Sequence, residues 1–218
     1  MPPASVYRAR TEEAKAQRRA DILEAALLEI YEKGLAKARL DDIAERANVS
    51  KGTVYLYFEG KEELFRDLIS HHTAPAMQHL DNTVTVSSSL EQALTNFAAF
   101  APTIIRQGNM PRLMKIIIGE SQEFPDILRE HRERLIDKSY AIFSKLLSDA
   151  AERGEIRIVD PNLTARLIFA PVIYCGVWQS VFAPTAPEPL DIEGLLRTHV
   201  DILLKGLNYR DPETGGKL

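Results

Sequence analysis

The sequence has few of the features that mark secreted, membrane-bound or catalytic proteins. It holds one cysteine, Cys175, so an intramolecular disulfide cannot form and a disulfide-stapled secreted fold has no support. The opening Met1-Pro2-Pro3 begins no signal-peptide pattern, and we expect no apolar run of membrane-spanning length. The expected location is the cytoplasm, with no membrane partner.

Catalytic and metal-binding motifs are also missing. The sequence has no phosphate-binding GxxxxGKS/T loop, no GxGxxG turn, no GxSxG nucleophile and no HExxH zinc motif. Glu120 and Glu123 lie one helical turn apart, but such pairs are more often solvated or structural than catalytic. His71 and His72 are adjacent, yet no neighbouring Cys, Asp or Glu completes a metal site. We predict no catalytic residue, no cofactor and no bound metal.

The charge is unevenly distributed along the chain. The net charge of −4 argues against a non-specific nucleic-acid coat, and the apolar (45%) and charged (27%) fractions are ordinary for a soluble protein. Residues 1–66 hold 12 Lys and Arg against 12 Asp and Glu, whereas residues 67–218 hold 15 against 19. The N-terminal part is less acidic, and local charge governs attraction to DNA.

Residues 40–64, LDDIAERANVSKGTVYLYFEGKEEL, are the most informative stretch. Leu40 and Ile43 share one face of a short helix, and Ser50 can cap a second helix over 51–57. A third helix begins just beyond, so the stretch predicts a helix–turn–helix.

The second of these helices cannot bury all its polar side chains against the first. In a helix–turn–helix such a face enters the major groove, with its N-terminal residues against base edges. We expect Gly52 and Thr53 nearest the bases, and lysine and tyrosine side chains on phosphates. The predicted DNA contacts are Arg39, Ser50, Lys51, Gly52, Thr53, Tyr55, Leu56, Tyr57 and Lys61.

The stretch DIAERANVSKGTVYLYFEGKEELF resembles the DNA-binding signature of TetR-type transcriptional regulators. That family has an Ile-Ala helix, a Val-Ser turn, a Lys-Gly recognition helix ending in Tyr-x-Tyr/His-Phe, and a Lys-Glu-x-Leu helix start, in this order. This chain has Ala38-Arg39 where the family usually has a Thr or Ser that caps the first helix and touches a phosphate. The later PRLMKIIIGESQEFPDI loosely resembles the AcrR-like branch.

Helical periodicity continues beyond this stretch and strand alternation is absent, so we predict an all-α fold of about nine helices. Pro75 is expected to kink or end the fourth helix by about Leu80, with a loop over 81–89. Four segments follow: a disordered arm over 1–14, the helix–turn–helix domain over 15–66, a larger ligand-binding and dimerisation domain over 67–209, and a disordered tail over 210–218.

The resemblance implies a repressor that binds a near-palindromic operator as a homodimer and is released by a small hydrophobic or aromatic effector. An alternative stays open, a helical ligand-binding dimer or enzyme without operator binding. The candidate effector-binding residues are Met110, Leu113, Ile117, Phe124, Tyr140, Phe143, Phe169, Tyr174 and Trp178. The helix over 162–182 is apolar on more than one face, which suggests pairing across a two-fold axis with the last helix. The candidate dimer residues are Leu167, Val172, Val181, Leu196, Val200 and Leu203.

Overall fold

The computed structural model of the chain describes residues 4–106, 109–157 and 160–208, which form helices and no strand. The α-helices, in chain order, are α1 Ala4–Lys33, α2 Leu40–Arg46, α3 Lys51–Tyr57, α4 Lys61–Val86, α5 Leu90–Arg106, α6 Met110–Gly119, α7 Pro125–His131, α8 Asp137–Glu152, α9 Pro161–Val177 and α10 Ile192–Gly206. A π-helical turn, Arg132–Ile136, joins α7 to α8, and another, Trp178–Phe182, extends α9. With α7 and α8 taken as one continuous helix, the described residues hold nine helices, which confirms the all-α prediction.

Helices α1, α2 and α3 close around an apolar core with the start of α4. Ile22, Leu27, Ile43 and Phe65 are fully buried in this N-terminal core. Its cluster also includes Leu113 and Ile116 of α6 and Ile127 of α7. The larger part of the chain therefore packs directly on the helix–turn–helix unit, and the predicted boundary after residue 66 falls inside α4.

Two helices are longer than the sequence predicted. Helix α1 begins at Ala4 rather than near Lys15, because residues 4–14 contain no glycine or proline that would stop it. Helix α4 continues through Pro75 to Val86. The proline removes one helical hydrogen bond, but Leu80 and Thr83 beyond it are buried, and this packing offsets the loss. The predicted tail over 210–218 lies outside the described residues.

A second core lies among α5, α8, α9 and α10. Phe143, Leu147 and Ile168 are buried there. The ring centroid of Phe97 lies 5.1 Å from those of both Phe143 and Phe169, in edge-on contacts that aromatic rings favour. This aromatic cluster fills the middle of the C-terminal domain.

The segment Pro161–Thr185 is long and apolar enough to cross a membrane, contrary to our sequence prediction. Only 17% of its most apolar 18-residue window is buried within the chain. Leu163, Leu167, Tyr174 and Val181, spaced to share one side of a helix, are between 48% and 61% exposed. We call these four residues the α9 face. Exposed apolar patches of this kind are typical of surfaces that bind another protein, a membrane or a ligand.

Candidate nucleic-acid interface

The turn between α2 and α3 is fixed by backbone and side-chain hydrogen bonds. Asn48 adopts a left-handed backbone with φ of 54°, and the N–H of Val49 donates to the carbonyl of Ala44 at 2.9 Å. Ser50 Oγ accepts a hydrogen bond from the N–H of Thr53 at 3.1 Å. The predicted cap of α3 is thus confirmed, and it sets the direction in which α3 leaves the turn.

The two sides of α3 differ sharply in exposure. Val54 is fully buried in the N-terminal core. On the opposite side Tyr55 is 50% exposed and Leu56 is 84% exposed. Lys51 and Gly52 are exposed at the N-terminal end of the helix. Four of the predicted DNA contacts therefore form one open surface.

The other predicted contacts on α3 are less open. Tyr57 packs against the N-terminal core. Thr53 is half-buried, and its Oγ1 lies 2.8 Å from Ser50 Oγ in a hydrogen bond. A Cβ added at Gly52 would have a single neighbour within 4 Å, Ser50 Oγ at 3.8 Å, so a DNA base can approach this position closely.

Asp41 of α2 forms ion pairs with two of the basic side chains that are predicted to contact DNA. Lys51 Nζ lies 2.7 Å from Asp41 Oδ1, and the guanidinium of Arg39 lies 3.7 Å from Asp41 Oδ2. The hydrogen bond to Asp41 raises the pKa of Lys51 above its ordinary value. A phosphate must compete with Asp41 for both cations. Sequence reasoning missed this role, because an acidic residue in the first turn of a helix is already favourable there.

Lys61, another predicted DNA contact, makes hydrogen bonds within the chain. Its ammonium donates to the carbonyls of Leu35 and Ala36, at 3.0 Å each, in the turn between α1 and α2. The same turn is held from the other side by Glu120, whose Oε1 accepts from the N–H of Leu35 at 2.9 Å. Neither contact could be predicted from the sequence, because the partners are far apart along the chain.

A buried carboxylate holds α2 against α1. The Glu29 side chain is 2% exposed and lies 2.5 Å from Lys33 Nζ and 3.1 Å from the guanidinium of Arg46. Lys33 also bridges to Asp42 at 2.9 Å, and this hydrogen bond raises the pKa of Lys33 and lowers that of Asp42. Removing one cation would leave buried charge poorly compensated, so these pairs fix the position of α2.

Comparison with known proteins agrees with this geometry. Residues 22–68 match the family described as bacterial regulatory proteins, tetR family, and residues 92–206 match the C-terminal domain of AefR-like transcriptional repressors. The chain belongs to the TetR family. The HTH-type transcriptional regulator YfiR of Bacillus subtilis is 28% identical over 170 residues, which cover 73% of this chain and 78% of YfiR. YdeS, a second such regulator of Bacillus subtilis, is 30% identical over 154 residues, covering 70% of this chain and 75% of YdeS.

A solved structure has the same fold. AibR, in complex with isovaleryl coenzyme A and operator DNA, matches this chain with a TM-score of 0.67 at 20% sequence identity, covering 85% of this chain and 97% of AibR. The relatives are transcriptional regulators and not enzymes. As a member of the TetR family, this chain is a DNA-binding transcriptional regulator with α2 and α3 as its helix–turn–helix.

The predicted effector-binding residues of this TetR-family chain do not form one site. Four pack against the N-terminal core: Met110, Leu113, Ile117 and Phe124. Three more meet at the second core, where the ring of Phe169 contacts the rings of both others: Tyr140 and Phe143. Two form a tilted pair with ring centroids 6.0 Å apart: Tyr174 and Trp178. Apolar composition alone cannot distinguish core from cavity lining, so the sequence could not separate these groups.

A cavity of about 450 Å³ lies instead between α4 and α7, and its lining includes none of those nine residues. Its apolar lining includes Ile69, Met77, Ile127 and Leu135, and its charged lining comprises Arg66, Asp81, Glu130 and Arg134. Arg66 Nε lies 3.0 Å from Glu130 Oε2 across the cavity wall. The volume suits a small molecule, and one edge is formed by a π-helical turn, a feature frequent at functional sites.

The six predicted dimer residues divide by exposure. Two are at least half exposed on the α9 face: Leu167 and Val181. Two are buried within their own chain, because α10 packs on its neighbours: Leu196 and Val200. Two are half-buried against the cores: Val172 and Leu203. Leu196 and Val200 belong to the apolar stripe of α10, which completes the intramolecular core, and the dimer interface itself stays a prediction.

Proposed function

We propose that this chain is a cytoplasmic repressor that binds a near-palindromic operator as a homodimer and is released by a small effector. The observation that best supports this function is the exposed surface of α3, whose N-terminus is capped by Ser50. Four residues are exposed there together: Lys51, Gly52, Tyr55 and Leu56. An ammonium and a phenol hydroxyl suit phosphate oxygens, and the glycine admits base edges. The match to AefR-like transcriptional repressors supports repression rather than activation.

DNA binding is tested by fluorescence anisotropy with the DNA upstream of the protein's own gene and with sequences enriched by selection. The variant Lys51→Ala, Tyr55→Ala is expected to lose about tenfold or more in affinity for every sequence, since it removes phosphate contacts. Lys51→Ala alone should reduce the salt slope by about one unit. The matched control is Lys145→Ala, an exposed lysine on α8. Unchanged binding by the double variant would reject α3 as the DNA-binding helix.

The α9 face supports the homodimer. Pairing α9 and α10 with the same helices of a second copy buries this face in a four-helix arrangement across a two-fold axis. Ile202 of α10 is a further large apolar side chain that is 63% exposed. To reach successive major grooves of the operator, the two copies of α3 in such a pair must lie about 34–36 Å apart.

The cavity between α4 and α7 supports the effector. Its lining carries charges of both signs, so the ligand that fits is an apolar molecule with a polar or charged end rather than a purely hydrophobic one. Helix α4 forms one wall of the cavity and begins at Lys61, beside the α1–α2 turn. An effector that binds the DNA-free arrangement more tightly than the DNA-bound one would therefore shift α4 and release the operator.

The effector site is tested with compounds that raise the Tm of the free protein. Those compounds are expected to weaken operator binding. Ala74→Trp, which fills the cavity from α4, should abolish both effects while operator affinity is kept. If stabilising compounds left operator affinity untouched, coupling through α4 would be wrong. If no DNA fragment bound at all, the ligand-binding dimer or enzyme without operator binding would be favoured.

A further inference from the structure

Three potential metal ligands meet where α1 contacts α4. They are Glu24 of α1 and His71 and His72 of α4, and their ligand atoms all lie within 4.8 Å of one another. The sequence argued against a metal here because no acidic residue neighbours the two histidines. The fold overturns that argument, since α1 packs on α4 and brings a carboxylate to the pair.

The carboxylate of Glu24 is held in place. Its Oε2 accepts a hydrogen bond from Asn109 Nδ2 at 2.6 Å, at the start of α6. Its Oε1 faces the histidines and lies 3.8 Å from His72 Nδ1. A hydrogen bond to one carboxylate oxygen that leaves the other free is the support usually found behind a metal-binding carboxylate.

His72 is a buried imidazole whose hydrogen bonds are incomplete. Its side chain is 8% exposed, and its Nε2 has no hydrogen-bond partner within the described part of the chain. The unpartnered Nε2 calls for a water beside it, whereas Nδ1 is the ring nitrogen that faces Glu24 and is placed to bind an ion.

We propose that Glu24, His71 and His72 bind one divalent transition-metal ion that ties α1 to α4. Two imidazoles and one carboxylate, with solvent in the fourth position, form an open zinc-type set. Imidazole ligands favour zinc, cobalt, nickel and copper over magnesium and calcium. Ligand atoms in a tetrahedral zinc shell lie about 3.3 Å apart, so small side-chain rotations close the site. The ion would stiffen the contact between the helix–turn–helix unit and the helix that lines the cavity.

The test uses the untagged full-length protein, titrated with ZnCl2 and CoCl2 by calorimetry, visible absorption and thermal melting. We expect one ion per chain, a raised Tm, and a tetrahedral Co2+ spectrum that Zn2+ abolishes. Glu24→Gln and His72→Gln should each weaken Zn2+ binding by roughly tenfold or more. The matched control His79→Gln, on the same helix but outside the cluster, should bind Zn2+ like the unmodified chain. MgCl2 should change nothing.

Two results would overturn the site. One is the absence of any Zn2+ effect on Tm, and the other is Zn2+ affinity that Glu24→Gln leaves unchanged. Glu24 is half exposed, so its replacement tests the site even if His72→Gln fails to fold. The measurements need no DNA, so their failure would leave operator binding untouched.

Discussion

At the scale of single residues, Lys61 holds the turn between α1 and α2 in position. Lys61→Met removes both hydrogen bonds to the carbonyls of Leu35 and Ala36. We expect the free energy of unfolding in urea to fall by about 1–3 kcal/mol, with weaker binding to every operator sequence because the α1–α2 turn loosens. The matched control is Lys37→Met, an exposed lysine in the same turn. An equal loss of stability in both variants would contradict this role.

His131, beside the cavity, makes the stability depend on pH. Burial lowers its pKa below the ordinary value of 6.5, so the unfolded chain takes up this proton at higher pH than the folded chain. The stabilising contribution is complete above the unfolded-state pKa and is lost as the pH falls through the folded-state pKa. We expect the Tm to drop between about pH 7.5 and about pH 5.5, and His131→Gln to lessen the drop. A drop of the same size in the variant would assign it to other groups.

At the scale of elements, Glu120 connects the end of α6 to the turn before α2. Glu120→Ala leaves the N–H of Leu35 without its acceptor, so we expect a loss of about 1–3 kcal/mol in stability and faster amide exchange across residues 34–39. Glu123→Ala, at an exposed acid three residues further on, is the control and should change neither quantity. Slow exchange retained in Glu120→Ala would show that α6 does not hold the turn.

Local sequence signals predicted the elements well and their partners poorly. Ser50 marked a helix start that the structure has, because capping depends on neighbouring residues. Pro75 led to the wrong prediction that the fourth helix ends by about Leu80. The burial of Leu80 and Thr83 outweighs the hydrogen bond that the proline removes from the helix. The cavity and the contact of Glu24 with His71 and His72 could not be predicted from the sequence, since both depend on residues that only the tertiary fold brings together.

At the scale of the whole molecule, the α9 face predicts the oligomeric state. Leu167→Lys combined with Val181→Lys places two charges in the proposed two-fold interface. We expect light scattering at micromolar concentration to give a monomeric mass for this variant and a dimeric mass for the unmodified chain, because unpaired buried charge is costly. Val86→Lys, at an exposed apolar residue on α4, should remain dimeric. A dimeric double variant would place the interface elsewhere.

The α9 face also bears on how sharply the regulated genes respond to the supply of repressor. In the proposed dimer, a newly made chain without its second copy exposes the apolar segment Pro161–Thr185 to chaperones and proteases. Pairing is a second-order process, so at low concentration halving the rate of synthesis lowers the amount of dimer by about fourfold, and clearance of unpaired chains lowers it further. Operator occupancy therefore responds more steeply to gene dosage than it would for a regulator that acts as a single chain.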